Sequence, residues 1–296
     1  INEVQKIIDK YVFILKNNPE NKAGKTGLNF YNWVIEVCAC EIEETLAPSI
    51  KEMALIDFMF KSMKEQIRLN EKSFRNYQIT PEEMHIQIYI AVQRSLFKLD
   101  APIISYNLLK YKYPFWEKPT KDDLDKISRN IYKILKLTEK DLTHRLSKKI
   151  YAICEKYDTP YLLFGDVLAE DPEKNADQVK DPKTLESLIK KAYTIRLKDL
   201  RAKVSRAAIY STLSIFITKI LSLLLLEIVL AKIISEDLNP IFLVADVLIP
   251  TFLMALLVYT VKLPSKKNFN LAIIETMHIA YKRERIDYYE IRLTRK

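Results

Sequence analysis

Residues 207 to 261 read AAIYSTLSIFITKILSLLLLEIVLAKII (207–234), SEDLNP (235–240) and IFLVADVLIPTFLMALLVYTV (241–261). As helices rising 1.5 Å per residue, the two apolar runs reach about 42 and 31 Å, enough to cross a hydrocarbon layer of ~30 Å. The six residues between them are too few to carry a domain and end in proline. The stretch therefore predicts a two-helix transmembrane hairpin, with spans at 207–234 and 241–261.

Working outward, the charge distribution sets the orientation. The formal charge of the 296 residues is +9. Residues 1–182 are balanced, with 28 basic and 28 acidic side chains. Segment 183–206 carries 8 basic against 2 acidic residues, and segment 262–296 carries 9 against 4. The connecting loop holds Glu236 and Asp237 and no Lys or Arg. Basic excess at both outer ends places both flanks on the cytoplasmic side of the cell membrane. A nucleic-acid partner is disfavoured, because a binding groove would make the folded region basic as well. Anionic lipid headgroups near Arg196, Lys198, Arg201, Lys203, Arg206, Lys262, Lys266 and Lys267 account for the excess more simply.

The 182 residues ahead of the hairpin read as a soluble all-α domain. Helices are expected over 2–17, 28–46, 49–69, 81–99, 101–112, 121–137, 139–157 and 160–169. Phe30, Trp33, Val34, Val37, Cys38 and Ile42 recur at helical spacing and predict a core face. Thr80-Pro81-Glu82-Glu83 supplies a side-chain cap, proline in the first turn and an acid three residues after the cap. Asp171 to Pro182 reads as a linker. From Leu185 to Ile234 there is neither proline nor glycine, so one helix runs from a basic juxtamembrane segment (183–206) into the bilayer. The remainder, 262–296, reads as a short basic tail with an amphipathic helix and weak strand-like alternation from Ile286 to Leu293. Ile1 to Lys16 is amphipathic and charged, with no secretory signal.

Inside the hairpin, Lys219, Glu227 and Asp246 are the residues hardest to explain as filler. The fourteen Leu, Ile, Val and Phe residues between Ile209 and Leu230 contribute about −4 to −8 kcal/mol to insertion, and two charges cost roughly 5 to 7. The first span is marginal alone and depends on pairing of its charges or on neighbouring helices. Helix pairing is the favoured role of the three residues, and an ion route is the alternative. Ser211, Ser214, Thr218 and Ser222 form a small, hydrogen-bonding stripe suited to helix packing.

The motifs that suggest chemistry are incomplete. Gly24-Lys25-Thr26 has the ending of a phosphate-binding loop, but Pro19 stands where the motif needs glycine and a helix precedes it. Cys38 and Cys40 lie about 200° apart on a helix and cannot easily share one ion; a buried Cys38 and a less buried Cys40 are expected. Glu82/His85, Asp141/His144 and Glu275/His278 have the E-x-x-H spacing, or its Asp form, of carboxylate-bridged metal bundles, but such sites also need two further glutamates from facing helices and two such helices in one bundle, and His278 lies beyond the hairpin. Tyr111, Tyr113, Phe115 and Trp116 are expected to fold over one end of a helical core. No cofactor is implied.

A soluble helical domain joined by a long helix to two C-terminal spans resembles the layout of CorA-type magnesium channels. The resemblance is of layout alone: the Gly-Met-Asn signature of that family is absent between the spans, where Glu236-Asp237-Leu238-Asn239 stands. The leading expectation is a non-catalytic, membrane-anchored interaction or scaffold protein holding a protein partner at the cytoplasmic face. An oligomeric channel or transporter is the alternative, and a metal-dependent helical enzyme is third.

Overall fold

The computed structural model describes residues 2–19, 25–69, 79–227, 240–261, 264–281 and 289–291. Helices make up nearly all of it: α1 (Asn2–Lys16), α2 (Lys25–Leu46), α3 (Ile50–Gln66), α4 (Pro81–Phe97), α5 (Ala101–Lys112), α6 (Lys121–Leu142), α7 (Ser147–Glu170), α8 (Pro172–Gln178), α9 (Pro182–Ser222), α10 (Pro240–Tyr259) and α11 (Lys266–Tyr281). A π-helical turn, Leu223–Glu227, continues α9. Two three-residue strands, β1 (Ile67–Leu69) and β2 (Tyr289–Ile291), pair in parallel. The chain forms two compact units, residues 1–177 with 275–296, and residues 178–274.

The first unit has two apolar clusters that share α5. Ile104 and Leu108 of that helix belong with Ile56, Ile88 and Ile150, while Tyr106 and Leu109 belong with Ile14, Val37 and Ile131. A helix wrapped on both sides must bury polar side chains too. Asn107 Nδ2 donates to Gln93 Oε1 at 2.8 Å, and Ser105 Oγ donates to the Ala101 carbonyl at 2.7 Å, so neither group is left unsatisfied.

Helix starts follow the chemistry of their caps. The Thr80 hydroxyl accepts from the Glu83 N–H while the Glu83 carboxylate accepts from the Thr80 N–H, and Thr120 and Asp123 repeat this reciprocal arrangement at α6. Asp100 and Asp181 cap α5 and α9, each with proline in the first turn.

Three expectations are corrected. Residues 67–69, expected to end a helix, form β1, because their backbone partner is a strand more than two hundred residues away. The break expected near Thr138 falls at 143–146 instead, and α7 continues through Pro160. An interior proline costs a helix about 3 kcal/mol, a cost that burial of Tyr161, Leu163 and Val167 along the same helix offsets. The segment 171–182 contains a short helix, α8, and not a bare linker.

The tail expected to hold an amphipathic helix and weak strand-like alternation contains α11 and β2. From Glu275 onward it belongs to the first unit: Thr276 Oγ1 donates to the Pro160 carbonyl at 3.4 Å, Tyr289 lies 5.2 Å from Tyr157 between ring centres, and Ile291 is buried.

Candidate functional site

In the second unit α9 and α10 pack together as an antiparallel hairpin. Lys219 Nζ donates to both carboxylate oxygens of Asp246, at 3.0 and 2.9 Å. Ala208, Thr212 and Phe216 of α9 and Thr251, Ala255 and Val258 of α10 line an apolar groove of about 460 Å³. The groove takes residues before Lys219 on α9 and after Asp246 on α10, so the helices run antiparallel in a register set by that ion pair. The half-buried positions of α9, Thr212, Ile215, Phe216, Lys219 and Ile220, recur at helical spacing, as do Leu243, Asp246, Val247, Pro250, Thr251 and Met254 on α10.

Position along the hairpin axis follows from that register. Val261 lies fifteen residues past Asp246, or about 22 Å along the axis, and the same distance before Lys219 is Val204. Val204 sits among Arg201, Lys203 and Arg206, and Val261 precedes Lys262, so the basic residues of both flanks share one level. In the other direction, Ile241 is about 8 Å from Asp246, level with Leu224 in the π turn. Arg196, Lys198, Arg201, Lys203, Arg206, Lys266 and Lys267 are all exposed; Lys262 lies outside the described residues.

Among the described residues, Pro182–Leu225 is the helix long and apolar enough to cross a membrane, and none of its most apolar eighteen-residue window is buried within the protein. Leu243–Tyr259 is apolar but shorter. Ile209, Leu213, Ile217 and Leu221 of α9 and Leu248, Phe252 and Leu256 of α10 stand exposed.

The sequence-predicted residues sort as follows. Lys219 and Asp246 are brought together. The side chain of Glu227 lies outside the described residues, and the partner of Asp246 is Lys219. Ser211 and Ser222 are half-buried, whereas Ser214 and Thr218 are exposed, so the small-residue stripe follows one flank of α9 and not the face turned to α10. Ser211 Oγ donates to the Ala208 carbonyl of its own helix.

The first unit holds a cleft of about 820 Å³ that sequence reading missed. Its floor is Lys10, buried at 7% exposure, whose ammonium bonds Glu41 and donates to the Trp116 carbonyl at 2.9 Å. Tyr11 Oη donates to the other Glu41 oxygen at 2.7 Å, and Trp116 Nε1 donates to Tyr11 Oη at 3.1 Å. Burial pulls the Lys10 ammonium below its usual range, against the pull of Glu41, and pushes the Tyr11 hydroxyl up. At the rim Glu44 pairs with Lys110, which also lies 3.7 Å from Glu117. The charges satisfy one another and tie α1, α2 and the 113–120 loop together. The signal was present: Lys10 shares the apolar stripe of Ile7 and Ile14, and Glu41 follows Val37 by one turn.

The remaining motifs are occupied elsewhere. Lys25 and Thr26 open α2, and Gly24 lies outside the described residues. Cys38 is half-buried like Cys40, contrary to the expected buried Cys38; burial raises both thiols, Cys40 to about 11. Asp141 pairs with Lys112, and Glu275 lies 3.9 Å from His278 on its own helix. Among the described residues no three His, Cys, Asp or Glu side chains converge as metal ligands do. Trp116 is buried as expected of the aromatic loop, while Tyr111 and Phe115 keep 43% and 38% of their surface.

Compared with known proteins, the chain matches no family, no curated protein and no solved structure.

Proposed function

We infer that this chain is a two-pass membrane anchor bearing a non-catalytic helical scaffold, which holds a protein partner at the cytoplasmic face of the cell membrane. The observation that carries the reading is the exposure of the apolar part of α9: an eighteen-residue window of such hydropathy with no residue buried in its own protein has its solvent in lipid. Two passes are supported by the chain's path, which leaves the first unit after Asp177 and re-enters it at Glu275, so it crosses an even number of times. The exposed basic residues level with Val204 and Val261 suit the anionic headgroups of the inner leaflet.

An oligomeric channel is the second reading. It would need Lys219 and Asp246 free to line a route, whereas each neutralises the other, which favours the anchor. Alkaline carbonate extraction of membranes tests the anchor, with the chain expected to stay in the pellet. Accessibility of single cysteines placed at 199 and 237 tests topology, with only the former reached from the cytoplasm. Proteins co-purifying with the intact chain, and lost when the first unit is disrupted, test the scaffold.

A further inference from the structure

We propose, resting on the membrane-spanning reading above, that two copies of this chain associate through the hairpin, the Lys219 of each set against the Asp246 of the other in a closed ring of four charges. Although Lys219 and Asp246 contact each other, their side chains remain 33% and 37% exposed. At a surface in water such exposure costs nothing. Within the apolar run, about 8 Å from its Ile241 end, it turns charge toward lipid that cannot solvate it. An ammonium has three donors and a carboxylate about four acceptor sites, so one ion pair leaves hydrogen-bonding capacity on both sides.

Whatever covers the pair must bring polar groups of both signs to this depth. An acyl chain brings none. A second copy brings both by symmetry, because a half-turn about the membrane normal preserves depth and sets α9 of one copy beside α10 of the other. Each lysine then gains a second carboxylate and each carboxylate a second lysine, with like charges only on the diagonals. Exposed Thr218 and half-buried Ser222, next to Lys219 on α9, are small enough for close helix approach.

The test uses the full chain in lipid nanodiscs and in native membranes. The unaltered protein is expected to be dimeric by light scattering. Lys219→Leu and Asp246→Leu chains carrying different tags are expected to co-purify at least tenfold better with each other than with themselves, since only the mixed pair joins a lysine to an aspartate across the interface. A purely intramolecular pair would not produce that preference. If either single variant fails to insert, the exchange Lys219→Asp with Asp246→Lys keeps both charges and is expected to dimerise, while the double leucine variant is expected to weaken dimerisation at least tenfold. A monomer at every lipid-to-protein ratio, equal co-purification of like and unlike variants, or a double leucine variant as dimeric as the unaltered protein overturns the charge ring while leaving the anchor intact. Recovery of the unaltered chain from the carbonate supernatant would instead overturn the anchor.

Discussion

Ile67 of β1 lies in register with Tyr289 of β2, so the last described strand of the chain closes on one laid down before the hairpin begins. Ile291, at 3% exposure, inserts from that strand into the same cluster as Ile67. Replacing Ile291 by alanine is expected to cost about 2 kcal/mol, the low end for a buried isoleucine because the strand is short. Urea unfolding of the detergent-solubilised chain measures it, and an unchanged midpoint would mean that the C-terminal strand adds nothing to the first unit.

Lys10 and Glu41 make the second test. Removing one partner of a buried ion pair strands the other, so Lys10→Met is expected to destabilise by about 3 to 5 kcal/mol. The double variant Lys10→Met, Glu41→Leu should cost less than either single change, since no charge is left unpaired. The two tryptophans, Trp33 and Trp116, both pack in this cluster, and their fluorescence reports its unfolding directly.

Glu83 gives a pH dependence of known sign. Its carboxylate sits below the usual value of 4.5, chiefly because it accepts the Thr80 N–H, with Lys140 adding to the effect. A folded-state value below the unfolded one stabilises above pH 4.5, and that stabilisation is lost as pH falls through the depressed value. Acid unfolding of α4 should therefore lose part of its pH sensitivity in Glu83→Gln, measured as a smaller shift of melting temperature between pH 6 and pH 3.

Lys98 caps α4 with φ 53°, a left-handed conformation that glycine adopts without strain. Its ammonium bonds Tyr151 at 3.1 Å and lies 3.3 Å from Glu155 and 3.9 Å from Asp158, but Lys98 and Glu155 are largely exposed, which weakens the pairing. Relief of the left-handed backbone, about 1 to 2 kcal/mol, outweighs it. Lys98→Gly is expected to raise the melting temperature slightly, and a clear decrease would assign the larger part to the side chain.

The hairpin register predicts which cysteine pairs can be joined. In a background lacking Cys38, Cys40 and Cys154, cysteines at 208 and 258 should be bridged by a short bifunctional maleimide, because the register set by Lys219 and Asp246 puts the two positions near one level. Cysteines at 208 and 251 are offset by about 10 Å along the axis and should not be bridged. Equal yields would overturn the antiparallel register.

The sequence alone determined the helical character of the chain, the position of its apolar segments and the capped start at Thr80, because each of these depends on residues within one or two turns of one another. The periodic stripe of Phe30, Val34 and Val37 likewise predicted a buried face. Pairings between distant residues could not be read locally. Lys219 could have met Glu227 or Asp246, Ile67 continued a helix until a strand from the far end claimed its backbone, and Pro160 signalled a break that burial of its neighbours overrode. The same holds for Lys10 and Glu41: each lies on the apolar stripe of its own helix, but their pairing across α1 and α2 is not written in that spacing. Only the tertiary structure decided these, since the energy of an ion pair, a strand ladder or a buried side chain depends on which surface arrives opposite, and spacing along the chain does not contain that information.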